Sequence, residues 1–156
     1  MIMRTIFAIF FLLTIASCSK DKFTDEPQIE FKGFDINQFT SNMTSLDPPP
    51  HVKLKITDGN GDVGFIAGVD TAFVYLKNIL NGREDSVQFP DLGSAARKNF
   101  EAELEVSLFD VMGGRTSNFP PRPYVDTLYF EVYMRDFNRN KSNVIITSEP
   151  FYFFSL

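Results

Sequence analysis

Downstream of residue 27 the apolar residues recur at every second position, not at the three-to-four-residue spacing of a helix. The stretch HVKLKIT at 51–57 sets the type. Val52, Leu54 and Ile56 share one face, and Lys53 and Lys55 the other, as in a half-buried strand. Residues 100–109 repeat the pattern, with Ala102, Leu104, Val106 and Leu108 inward and Glu101, Glu103 and Glu105 outward. Residues 124–135 predict the longest strand, with Leu128, Phe130, Val132 and Met134 on one face. Residues 71–80 are more continuously apolar and run into Asn81-Gly82, a hairpin signal, with 85–89 as the returning strand. Ile29, Phe31, Phe34 and Ile36 predict a first strand kinked at Gly33, and 144–153 a last strand interrupted at Pro150, as at an edge or bulge. One helical turn is expected within 91–99. Loops are expected at 40–50, which three prolines stiffen, at 113–123 and at 136–143. About seven strands joined by short turns predict an all-β domain, an antiparallel two-sheet sandwich, with a barrel of similar strand count as the alternative.

Residues 1–17 stand apart from this pattern. Arg4 is followed by an apolar run from Thr5 to Ala16, the length of a signal-peptide core and too short to span a bilayer. The run ends in Ile15-Ala16-Ser17-Cys18, which resembles a bacterial lipobox. That resemblance implies cleavage before Cys18 and acylation of it, with 18–27 as a lipid-anchored tether and 28–156 as the folded domain. Two or more acyl chains would hold such a protein stably at a membrane, because each buried methylene contributes about 0.8 kcal/mol. Ser19 in place of an aspartate resembles the outer-membrane sorting pattern. Lys20-Asp21-Lys22 partly resembles the export tag of surface lipoproteins.

Composition narrows the class. The formal net charge is −5, and the loss of Arg4 with the leader makes it one unit more negative. A nucleic-acid partner is excluded on that ground, since phosphate contacts need a basic face. Cys18 is the chain's single cysteine, so no internal disulfide forms and packing must hold the domain together. Of the 18 phenylalanines, Phe7, Phe10 and Phe11 go with the leader, and the rest supply material for that packing.

The sequence offers little for catalysis. His51 is the single histidine, at the start of a strand and without a Gly-x-Ser-x-Gly elbow to serve. One histidine and one lipidated cysteine cannot make a zinc site of the usual kind. Glu101, Glu103 and Glu105 line an outward strand face, where carboxylates keep an edge soluble. No catalytic residue is assigned. The richest motif is Thr57-Asp-Gly-Asn-Gly-Asp-Val-Gly64. Asp58, Asn60 and Asp62 match the first three ligand positions of a calcium loop, because hard cations take closely spaced oxygens. An EF-hand is excluded, since Val63 and Val69 occupy its glycine and glutamate positions. Two readings stay open: a glycine-rich turn whose Asp and Asn bond their own backbone, or a calcium site completed by Asp70 or by Asp136 and Asn138 from another loop. Phe119, Arg122 and Tyr124, in the proline-rich loop, are the side-chain types that anchor a binding surface.

The closing hairpin, in which Asp136-x-Asn138-x-Asn140 joins two alternating strands, resembles that of immunoglobulin- or fibronectin-III-like domains. Together with the lipobox and the glycine-rich motif it makes the chain similar to small Bacteroidetes lipoproteins with such a β-sandwich. The resemblance implies a fold and an address on the outer membrane, at its periplasmic face or the cell surface. The first reading is therefore a lipid-anchored envelope protein with a non-catalytic binding or structural module. The second is an accessory lipoprotein that binds a ligand with the help of calcium or glycan, and the third a small hydrolase. Calcium is the one cofactor considered. The partners considered are the membrane, through the anchor, and an envelope protein or a glycan.

Overall fold

The computed structural model describes residues 22–44, 47–66, 70–92 and 97–156. The leader and Cys18 lie outside them. The described residues form β1 (Gln28–Phe34), β2 (Gln38–Thr40), β3 (His51–Asp58), β4 (Phe65–Ile66), β5 (Asp70–Thr71), β6 (Phe73–Asn78), β7 (Glu84–Gln88), β8 (Phe100–Ser107), β9 (Tyr124–Leu128), β10 (Phe130–Arg135), β11 (Ile145–Ile146) and β12 (Phe151–Ser155). The expected helical turn falls partly on 93–96, outside the described residues, and its described flanks are not helical.

The strands form open sheets, none closed into a barrel: β1-β3-β8, β11-β10-β6-β7, β2-β12-β9 and a small β4-β5 ribbon. The alternation in HVKLKIT holds, with Val52, Leu54 and Ile56 wholly buried. Against them in one cluster lie Val74 and Leu76 of β6, Phe130, Val132 and Met134 of β10, and Phe151 of β12. Each such side chain contributes about 1.5–3 kcal/mol by leaving water. Phe34 sits edge-on to Phe130 at 6.2 Å and to Phe151 at 5.4 Å, so one ring touches two sheets besides its own. On the outer face of the β3–β8 pair, Lys55 bridges Glu101 at 2.7 Å and Lys53 bridges Glu105 at 3.3 Å, a solvated face of paired charges. The expected kink appears as a register shift between Phe31 and Gly33, where Gly33 has φ 131°.

Three expectations need correction. The single strand over 124–135 is two strands in different sheets: β9 pairs with β12, and β10 with β6 and β11. The final strand divides likewise into β11 and β12. Both chains of the closing hairpin thus leave one sheet and join another. At the crossing, the Tyr129 carbonyl accepts a bond from Ile79 N–H rather than from a hairpin partner. The alternation in 124–135 concealed this, because Leu128 and Phe130 stay buried in the same phase on both sides of the break. Finally, β2 runs parallel to β12, which an all-antiparallel scheme does not provide for. Phe39 stacks on Phe153 at 6.1 Å across that pair.

The registers give the molecule two ends. Asp58 is opposite Phe100 and Arg135 opposite Phe73 at one, and His51 is opposite Ser107 and Asn78 opposite Phe130 at the other. Asn78 Nδ2 ties the second end together by donating to the carbonyls of Val111 (3.0 Å) and Gly113 (3.1 Å).

Candidate metal centre

Asp58 closes β3, Asp62 stands in the turn that follows, and Asp136 comes directly after β10. The turn is held by its own polar groups: Gly61 N–H donates to Asp58 Oδ1 at 2.5 Å and Asp62 N–H to Asn60 Oδ1 at 3.2 Å. Gly61 has φ 74°, and a Cβ there would run into the carbonyl of Arg97. A second loop meets this one. Phe137 N–H donates to the Asp62 carbonyl at 2.9 Å, and Asn138 Nδ2 to Asp62 Oδ2 at 2.5 Å. Asn140 braces Asp136, its N–H and its Nδ2 each donating to the carboxylate at 2.8 Å.

The result is three carboxylates, each with one oxygen within 4.8 Å of the others. Asp58 and Asp136 are fully buried. Asp58 Oδ2 and Asp62 Oδ1 are buried with no hydrogen-bond partner. Burial pushes the Asp58 carboxyl up to about 6, against the Gly61 N–H bond, and the charges of Asp62, Asp136 and Asp25 add to the rise. Burial also raises Asp62, helped by the charge of Asp136. Buried oxygens without partners are costly in a folded protein. A cation among the three would satisfy them.

The donor set suits calcium. An ion with ligands at about 2.3–2.6 Å spans oxygens up to about 5 Å apart, matching this cluster. The group contains no histidine or cysteine, so it does not favour zinc or copper. Carboxylates in flexible geometry suit Ca²⁺ better than Mg²⁺, which demands a near-ideal octahedron and keeps its waters.

Of the six residues proposed from sequence, Asp58, Asp62 and Asp136 converge and Asn138 joins through Asp62. Asn60 is exposed and serves the turn. Asp70 lies outside the cluster, its Oδ1 accepting from the Thr71 N–H at 2.8 Å. The motif is thus a turn held by its own polar groups, and two of its aspartates also belong to the carboxylate cluster. Sequence reasoning missed Asn140, although the spacing Asp136-x-Asn138-x-Asn140 echoes Asp58-x-Asn60-x-Asp62. It also missed Arg115, whose side chain binds buried Asp126 through Nε and Nη2, both at 2.7 Å. An aspartate in the inward phase of β9, between Tyr124 and Leu128, was its signal.

The three residues proposed as a binding surface face different neighbours. Phe119 is 61% exposed, Arg122 donates to the Leu156 carbonyl at 3.0 Å, and Tyr124 lies under the Arg115 guanidinium, 5.6 Å from the ring centroid. A cavity of about 340 Å³ opens at the end away from the carboxylates, lined by Phe39, Phe109, Met112, Phe153, Arg83 and Asp110. His51 is half-buried, its Nδ1 2.8 Å from Asp35 Oδ2. Burial works to raise Asp35, but the bonds from His51 and Ile36 outweigh it and hold the carboxyl low.

No family model matches the chain, and none of the curated proteins does. Among solved structures it is similar to a Niemann-Pick type C2 protein from the Japanese carpenter ant, with 14% identity over 88% of this chain and 98% of that one and a TM-score of 0.39. At that score the likeness carries no weight for fold or function.

Proposed function

We propose that this chain is a lipid-anchored envelope protein whose immunoglobulin- or fibronectin-III-like domain is a non-catalytic binding or structural module, stabilised by one Ca²⁺ between two loops. The observation that carries the calcium part is the convergence of Asp58, Asp62 and Asp136 with buried, unpartnered oxygens on two of them. Because Asp58 and Asp136 are fully buried, the ion's work is structural: it joins the end of the β1-β3-β8 sheet to the end of the β11-β10-β6-β7 sheet. The anchor rests on the lipobox ending at Cys18.

Thermal unfolding of the mature chain in EDTA, in millimolar Mg²⁺ and in millimolar Ca²⁺ tests the site. At a hundred times the dissociation constant, Ca²⁺ adds about 2.7 kcal/mol. Equal melting temperatures in EDTA and Ca²⁺ would remove the metal from the reading. For the anchor, Cys18→Ser is expected to move the protein from the membrane to the soluble fraction, and continued membrane residence rules the lipobox out.

A glycan-binding accessory role is the second reading. It draws on the outer face of β6 and β10, where Tyr75 and Tyr133 stack at 4.7 Å beside a cleft of about 220 Å³ bordered by Lys77, Glu131 and Lys141. Aromatic faces with polar groups around them suit a sugar. Binding on a glycan array that Tyr133→Ala abolishes would support it, and an array without signal would end it.

A further inference from the structure

Residues 22–26, which the sequence assigns to a tether over 18–27, do not hang free of the domain: they lead into β1 and are fastened at the carboxylate end of the molecule. Thr24 supplies its carbonyl to Gly59 N–H at 2.7 Å, directly after Asp58. The Gly59 carbonyl in turn accepts from Asn99 N–H at 2.8 Å, and Asn99 Oδ1 accepts from Lys22 N–H at 2.8 Å. The fit is close: a Cβ on Gly59 would lie 2.6 Å from the Phe23 carbonyl oxygen and 2.7 Å from that of Thr24. Lys22 Nζ reaches Glu101 at 2.5 Å. The Asp58–Asp62 turn is therefore held between the strap on one side and the 136–140 loop on the other.

Asp25 follows Thr24 in this strap. It is exposed, and its charge is among those that bear on Asp58. We propose that the strap is coupled to the metal site: clasped to Gly59 beside Asp58, it places the charge of Asp25 next to the three converging carboxylates, and Ca²⁺ fastens to the domain the segment that comes from the anchor. This rests on the calcium reading above and adds to it a role for the ion at the tether.

The physical basis is a change of sign. Without a cation Asp25 and the three clustered carboxylates repel one another, and the strap is held against the turn by its hydrogen bonds and the exposed Lys22–Glu101 pair. With a divalent ion among the three, Asp25 is drawn toward the site instead of being repelled by it. The strap is the element able to respond. Its ion pair is largely exposed, the Lys22 side chain at 64%, and exposed pairs contribute about 0–1 kcal/mol. Segments held this lightly open locally at little free-energy expense. Calcium would then decide whether the domain hangs loosely from its tether or is held at a fixed orientation to it.

Amide hydrogen exchange on the mature chain, with and without Ca²⁺, together with calorimetric titration of Ca²⁺ into wild type, Asp25→Asn and Asp47→Asn, tests this. The Lys22 and Gly59 amides, which bond within the clasp, are expected to exchange at least about fivefold more slowly with Ca²⁺. Asp25→Asn, an exposed change that leaves the fold intact, is expected to weaken Ca²⁺ binding at least about fivefold and to abolish that protection. Asp47→Asn, which removes the same charge near the opposite end of β3, is expected to do neither. Calcium binding with unaltered exchange at Lys22 and Gly59, or an unchanged affinity in Asp25→Asn, would overturn the strap proposal and leave the calcium site standing. An equal loss of affinity in Asp47→Asn would also overturn it, by making the effect one of net charge. Absence of any calcium binding by wild type would overturn both.

Discussion

Replacing Asp58 with asparagine separates a metal ligand from an ordinary turn aspartate, because the two roles predict opposite signs. The amide would keep the shape of the side chain and an oxygen for the Gly61 N–H, so the turn survives. It removes a charge that the fold tolerates poorly. With the carboxyl raised from 3.8 to about 6, keeping Asp58 ionised at neutral pH costs about 3 kcal/mol. In EDTA, D58N is therefore expected to be more stable than wild type by up to about 3 kcal/mol, or about 10 °C in Tm for a domain of this size. In calcium the order closes or reverses, since wild type gains about 2.7 kcal/mol at a hundred times the dissociation constant and the variant loses a ligand. The pH dependence follows from the same shift. A raised carboxyl binds its proton more tightly folded than unfolded. The apo wild type is thus relatively most stable below about 3.8 and loses that contribution as pH rises through about 6. The advantage of D58N in EDTA should accordingly be full above about pH 6 and vanish near pH 4. Differential scanning calorimetry of both proteins, in EDTA and Ca²⁺ at about pH 4 and about pH 7, measures every corner of this scheme. A variant less stable than wild type in EDTA at neutral pH, with an undiminished response to calcium, would refute the reasoning.

Three further outcomes are expected. Gly61→Ala puts a side chain at φ 74° and against the Arg97 carbonyl, so chemical denaturation should show a loss of at least about 1 kcal/mol together with a weaker calcium response. Arg115→Ala leaves Asp126, 1% exposed, with only the Arg115 backbone N–H of its present partners, which should cost about 2–3 kcal/mol in urea unfolding; a loss under about 0.5 kcal/mol would contradict the buried-pair account. Lys22 and Lys55 hold the Glu101 carboxyl down to about 2, so the strap's ion pair is fully present above about pH 4.5 and is lost as pH falls toward 2. Exchange at the Lys22 amide should quicken across that window, and Glu101→Gln should remove the dependence.

The alternation along the chain determined by itself which faces are buried, because in a strand the side-chain period is fixed by backbone geometry and each buried face must be apolar. Hence Val52, Leu54 and Ile56, the hairpin at Asn81-Gly82 and the kink at Gly33 could all be read without coordinates. Alternation does not encode the partner of a strand. Leu128 and Phe130 keep one phase while the chain passes from β12's sheet to β6's, and only the three-dimensional packing decided where that crossing falls. The same division governs the carboxylate cluster. Turn chemistry at 58–64 and at 136–140 is local and legible, since Asp, Asn and Gly bond and bend the chain within a few residues. Which distant loop faces the first is a tertiary matter: the ends of β3 and β10 meet, and the meeting selects Asp136 and leaves Asp70 aside. Burial of Asp58, which turns a surface motif into a charged cluster short of partners, exists only once the two loops have closed on each other.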